Sequence, residues 1–146
     1  MQRILIIQTA FIGDVILATP VISELKRIFP SAEIDVLVKK GNEVLLENDP
    51  RIKTLFQLDK KAGKLKEILR LRRAFQSRKY DLTINLHRFG SSGLITILSG
   101  AKRTIGFKKN PFSFFFSERF EHHIGDGTHE VERNLSLIKS LGAEVL

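Results

Sequence analysis

The sequence predicts a single doubly wound α/β domain with a mainly parallel sheet. Three observations carry that prediction. Short strand-like runs alternate with segments of helical periodicity along the chain. The strand-like runs are almost continuously apolar rather than alternating, as strands buried on both faces are. The chain has 146 residues, 42% of them hydrophobic, which is enough for one domain with a real core. Right-handed crossovers would join the strands.

Each element has its own justification. RILIIQ at 3–8 is a β-branched run and the first strand. From Asp14 to Phe29, the residues Val15, Ala18, Ile22, Leu25 and Phe29 recur at helical spacing, and Pro30 stops the run. AEIDVLV at 32–38 is a second strand, and 41–50 holds one or two helical turns before Pro50. IKTLFQLD at 52–59 is a third strand, followed by a basic helix at 64–78 in which Leu65, Ile68, Leu69 and Phe75 can line one face. YDLTINL at 80–86, a short helix at 91–100 and RTIGF at 103–107 complete the alternation. A last helix is expected over 128–141, with Val131, Leu135 and Ile138 on one face and Gly142 as its stop. Between these lies NPFSFFFSERF at 110–120, read as a core segment or as an interfacial patch flanked by Lys108, Lys109 and Arg119.

Composition narrows function. No apolar run approaches the roughly 20 residues that span a bilayer, and RILII is too short for a signal peptide. With no cysteine, disulfides and thiolate metal sites are excluded, which fits a reducing cytoplasm. His122 and His123 lack ligand-spaced acids, so no metal is expected. A net charge of +8 favours an anionic partner: nucleic acid, acidic lipid or a phosphorylated substrate. Nine cations fall between Lys60 and Lys79 against one acid, Glu67. They form either a solvated helix face or an anion-binding surface. Nucleic acid fits less well, because only Phe75 among them could stack on a base.

The first strand runs into QTAFIGDVILATP at 8–20, a strand-to-helix turn at the sheet edge where α/β ligands gather. It has neither G-x-G-x-x-G nor a P-loop, and Asp14 already occupies the helix start that a phosphate would want. Asp14 is therefore a helix cap or first-turn acid, or a general base accepting a proton from a hydroxyl.

The opening RILIIQTAFIGDVILATPVISELKRIFPSAEIDVLV resembles that of the heptosyltransferases, glycosyltransferase family 9. YDLTINLHRFGSSGLITILSGAKRTIGF at 80–107 is similar to the family's Y-D-x-x-I-D-L-H-G and A-K-x-R-I-G-F segments, and HEVERNLSLIKSLG at 129–142 to its H-x-V-E-R helix. Asn85 stands where the family often has Asp, and Arg88 where a Gly is common.

The resemblance implies a GT-B fold of two Rossmann-like domains facing a cleft. Residues 1–146 would be the N-terminal, acceptor-binding one. The C-terminal domain, which binds the nucleotide-sugar, typically ADP-heptose, would be absent from this chain, leaving it inactive alone. Transfer inverts the anomeric centre without a cofactor or metal, and Asp14 maps onto the family's proposed base. Lys60, Lys61 and Lys64, in the loop entering the basic helix, would meet phosphates and acidic sugars of a lipopolysaccharide-core glycolipid. His87 is an acceptor contact or a strand-end cap. His129 would bind the acceptor. Arg133 either joins it or pairs with Glu130, and Lys109 lies near the position of an acceptor-binding arginine. The expected location is cytoplasmic, peripheral to the inner membrane face. Two alternatives stay open: a non-catalytic module binding an anionic glycan, and a basic nucleic-acid-binding domain.

Overall fold

The structure, a computed structural model, describes residues 2–87, 90–107, 110, 112, 115–120, 132, 134, 135, 137 and 138. Six strands form one parallel sheet: β1 (Arg3–Gln8), β2 (Glu33–Lys39), β3 (Ile52–Leu58), β4 (Leu82–Asn85), β5 (Arg103–Phe107) and β6 (Glu118–Phe120). Their order is β3-β2-β1-β4-β5-β6. The helices are α1 (Ile12–Ile28), α2 (Lys64–Gln76) and α3 (Gly90–Leu98), with a 3₁₀ turn at Asn42–Leu45 in place of the longer helical segment expected at 41–50.

Alternation along β1 explains the layering. Ile4 and Ile6 join α1 residues Val15, Ala18, Val21, Ile22 and Leu25, with Leu135, Leu137 and Ile138, in one core. Leu5 and Ile7 face the other way, onto Ile68, Leu71 and Phe75 of α2 and Ile95 of α3. Every residue of β1 after Arg3 is buried, as a doubly covered central strand requires. Of the helix expected at 128–141, Glu132, Asn134 and Leu135 are helical, while Leu137 and Ile138 form a turn whose N–H groups donate to the Asn134 and Leu135 carbonyls; the other residues of that span, including Val131, lie outside the described residues.

α1 starts at Ile12, two residues before the periodic run, because Phe11 rather than Asp14 occupies the capping position. Inside this helix Pro20 cannot donate to the Ile16 carbonyl. The Thr19 hydroxyl donates to that oxygen instead, at 2.8 Å, so the T-P pair repairs the ladder that Pro20 interrupts.

α2 corrects the sequence reading. Ile68, Leu71 and Phe75 are buried together with Glu67, which turns Leu65 and Leu69 outward, 71% and 40% exposed. Two of its neighbouring cations also serve the fold. Arg70 donates to Glu67 at 2.6 Å and to the Gln57 carbonyl at 2.7 Å. Arg78 forks onto buried Asp35 at 2.9 and 3.0 Å, where the Tyr80 hydroxyl also donates at 2.6 Å. Burial first, then the bond to Asp35, raises the Tyr80 phenol far above its ordinary pKa. A buried carboxylate stripped of its cation costs about 3–5 kcal/mol, so Arg78 is structural.

The Phe-rich passage is split. Phe116 is buried, with its ring against Gly106 so closely that a Cβ there would come within 2.4 Å of it. Phe115 is 71% exposed, and Phe120 belongs to β6, a strand the sequence did not reveal. Among the described residues no helix is long and apolar enough to cross a membrane.

Candidate functional site

The strand order reverses direction between β1 and β4, and in open α/β sheets a crevice opens there, beyond the carboxyl ends of the strands. Thr9 follows β1 and His87 follows β4 at that edge. The Thr9 hydroxyl and His87 Nδ1 lie 2.8 Å apart, a hydrogen bond that joins the two strand ends across this edge. Lys60, in the loop after β3, reaches the same point: its ammonium donates to the Thr9 carbonyl at 2.8 Å. Three loops therefore converge on one buried threonine, 1% exposed. Desolvation of the ammonium, then the neighbouring Lys39 charge, lowers the Lys60 pKa from its ordinary value.

His87 is held from behind. The Asn85 amide donates to Ser92 Oγ at 3.2 Å while its oxygen accepts from the His87 backbone N–H at 2.8 Å. Ser92 Oγ in turn donates to the His87 carbonyl at 3.1 Å. An aspartate at position 85 could accept but not donate, so the asparagine is a working part of this turn. Behind it, Asn110 crowds Gly93, where a Cβ would meet Asn110 Oδ1 at 1.9 Å.

Asp14 sits in the first turn of α1, half-buried. Its Oδ2 accepts from the Phe11 N–H at 3.1 Å, the acidic half of a capping box. Oδ1 has no hydrogen-bond partner among the described residues. One carboxylate thus caps the helix and still has an oxygen to offer, so the two roles weighed for Asp14 are compatible. Beside it, Gly13 has no steric reason to be glycine: its φ is not positive, and a Cβ would meet nothing within 4 Å.

Lys61 and Lys64 are exposed, and Lys64 is the first residue of α2 rather than part of the loop before it. Lys60 and Lys64 line a cavity of about 200 Å³ together with Leu58, Ile68 and Ile95. Lys61 is steered by Asp59, whose Oδ1 accepts its backbone N–H at 3.0 Å. Lys109, His129 and Arg133 lie outside the described residues, as does Arg88. Sequence reasoning missed Thr9, which lies inside the opening turn but was given no role there, and Asn42, whose amide donates to the Ala10 carbonyl at 3.1 Å and fixes the opening loop.

Comparison with known proteins gives this edge a context. Residues 68–145 match the profile of glycosyltransferase family 9 (heptosyltransferase). A lipopolysaccharide heptosyltransferase 3 of Escherichia coli is 32% identical over 142 residues, covering 93% of this chain and 42% of that protein. The lipopolysaccharide core heptosyltransferase OpsX of Haemophilus influenzae is 27% identical over 134 residues, covering 86% and 38%. Among solved structures, a family 9 glycosyl transferase from Veillonella parvula superposes with a TM-score of 0.87 at 23% identity, covering 98% of this chain and 42% of that one. E. coli heptosyltransferase WaaC with ADP-2-deoxy-2-fluoro heptose gives 0.82 at 24% identity, covering 99% and 50%. The chain spans less than half the length of these curated relatives, 42% of one Escherichia coli heptosyltransferase 3 and 40% of another. The shared fold and the sequence match agree: the chain belongs to glycosyltransferase family 9, the heptosyltransferases.

Proposed function

We propose that this chain is the acceptor-binding half of a GT-B heptosyltransferase that transfers heptose from ADP-heptose to a lipopolysaccharide-core acceptor. The observation that supports it most is the convergence of Thr9, His87 and Lys60 at the carboxyl edge of β1 and β4, the edge where α1 begins with Asp14 in its first turn. Asp14 Oδ1 takes the proton of the acceptor hydroxyl as that oxygen attacks the anomeric carbon. The glycosidic electron pair leaves with ADP, and the configuration inverts. Lys61 and Lys64 meet acceptor phosphates. His87, oriented by Thr9 and Asn85, binds a sugar hydroxyl. ADP-heptose belongs to the other domain, so the 146 residues alone do not transfer sugar.

Titration of the chain with phosphorylated and dephosphorylated core acceptor tests this reading. Removing both charges, Lys61→Gln with Lys64→Gln, should weaken binding of the phosphorylated acceptor about tenfold or more and flatten its salt dependence. Binding of the dephosphorylated acceptor should stay nearly constant. Equal losses for both, or tight binding of ADP by this chain, would contradict the division of labour.

A further inference from the structure

The outward face of α2 combines exposed leucines with exposed cations. Leu65 and Leu69, four residues apart, form one ridge, 71% and 40% exposed, and Arg72 continues it on the next turn. Lys66 and Arg73, seven residues apart, run along one side of the ridge, away from the buried stripe, and all three cations are exposed. None of Lys64, Lys66, Arg72 and Arg73 has a carboxylate partner among the described residues. The one acid of the helix, Glu67, is turned inward and held by Arg70.

The fold itself accounts for neither feature. Ile68, Leu71 and Phe75 already supply the buried stripe, so the two leucines add nothing to the core. Nucleic acid or a soluble phosphate would use the cations and leave the leucines in water. An anionic bilayer uses both: leucines enter the acyl boundary, while long cationic side chains rise to the headgroups.

We infer that the outer face of α2, carrying Leu65 and Leu69 with Lys66, Arg72 and Arg73 alongside, docks this domain on an anionic lipid bilayer. The inference rests on these side chains and is independent of the proposed sugar transfer. Its consequence is orientation. α2 begins at Lys64, at the same sheet edge as the Thr9–His87 crevice. Docking through α2 brings Lys60, Lys61 and Lys64 beside the headgroups, where a lipid-anchored glycan is presented.

Co-sedimentation of the full chain with vesicles of phosphatidylethanolamine and phosphatidylglycerol tests the inference, with pure phosphatidylcholine vesicles as the neutral arm. The chain should bind the anionic vesicles and not the neutral ones. Leu65→Ser with Leu69→Ser should lower the affinity about fivefold or more. Arg72→Gln with Arg73→Gln should lower it about tenfold or more, since each cation near such a surface contributes about fivefold. Lys53→Gln with Lys102→Gln removes the same charge elsewhere and should change it less than about twofold, because distant charges are screened.

The chain contains no tryptophan, so Leu65→Trp provides a single reporter whose emission should shift to the blue on anionic vesicles only. An unshifted emission would overturn the inference, as would failure to bind anionic vesicles or equal losses in the two charge-removed variants. Tighter binding of duplex DNA than of vesicles, unaffected by the leucine substitutions, would replace the bilayer with nucleic acid.

Discussion

Gly13 is the site residue whose replacement separates folding from function most cleanly. It occupies the second position of α1 with an ordinary helical φ, and a Cβ built on it would meet no atom within 4 Å. Gly13→Ala therefore introduces no clash and removes backbone freedom from the unfolded chain. The gain should be about 0.4–1 kcal/mol. For a domain of this size that is a rise in Tm of roughly 1–4 °C. A glycine where alanine is more stable, beside a carboxylate oxygen with no hydrogen-bond partner among the described residues, is explained if a ligand lies against it. The added methyl should then lower affinity for the acceptor while the fold strengthens. Thermal denaturation and acceptor titration on the same preparation measure both quantities. A lower Tm would refute the steric argument, and a higher Tm with unchanged affinity would refute the ligand contact.

The remaining stability predictions concern single interactions. A double-mutant cycle of Thr9→Val and His87→Ala, followed by urea denaturation, should give a coupling of about 1 kcal/mol for their hydrogen bond, and a coupling near zero would remove His87 from the constellation. The bond from Arg70 holds the Glu67 carboxyl below its ordinary pKa of 4.5. A lowered folded-state pKa stabilises above the unfolded value, and that stabilisation is lost as the pH falls through the folded one. Between about pH 6 and about pH 3 the chain should therefore lose more stability than its Arg70→Gln variant, and parallel curves would contradict the pairing.

Much of the sheet was legible because parallel strands buried on both faces leave unbroken apolar runs, and β1 to β5 all lie where such runs occur. β6 was not: three residues, Glu118–Phe120, carry no period, and the phenylalanines before them masked the end of the segment. The basic run was legible as charge but not as roles. Its strand partner, Asp35, was a visible clue, since an acid within an apolar strand needs a cation, yet only the fold shows that Arg78 supplies it. The helical phase of α2 was misjudged because Leu65 and Leu69 are as apolar as the residues it buries; Glu67 takes an inward position only because Arg70 and the β3–α2 loop satisfy it. In the site, Asp14 was found from its place in a motif, while Thr9 could be found only from geometry.

The central claim is that Asp14 accepts the acceptor's proton with the oxygen that does not cap α1. Its most direct test is Asp14→Asn in this chain joined to a nucleotide-sugar-binding half, with Tm and kcat measured together. Asparagine retains an oxygen for the Phe11 N–H, so stability should change by less than about 1 kcal/mol. It cannot take a proton, so kcat should fall by on the order of 10²–10⁴ with KM little altered. Turnover within a few-fold of the unsubstituted enzyme, at unchanged Tm, would show that Asp14 is a cap and nothing more.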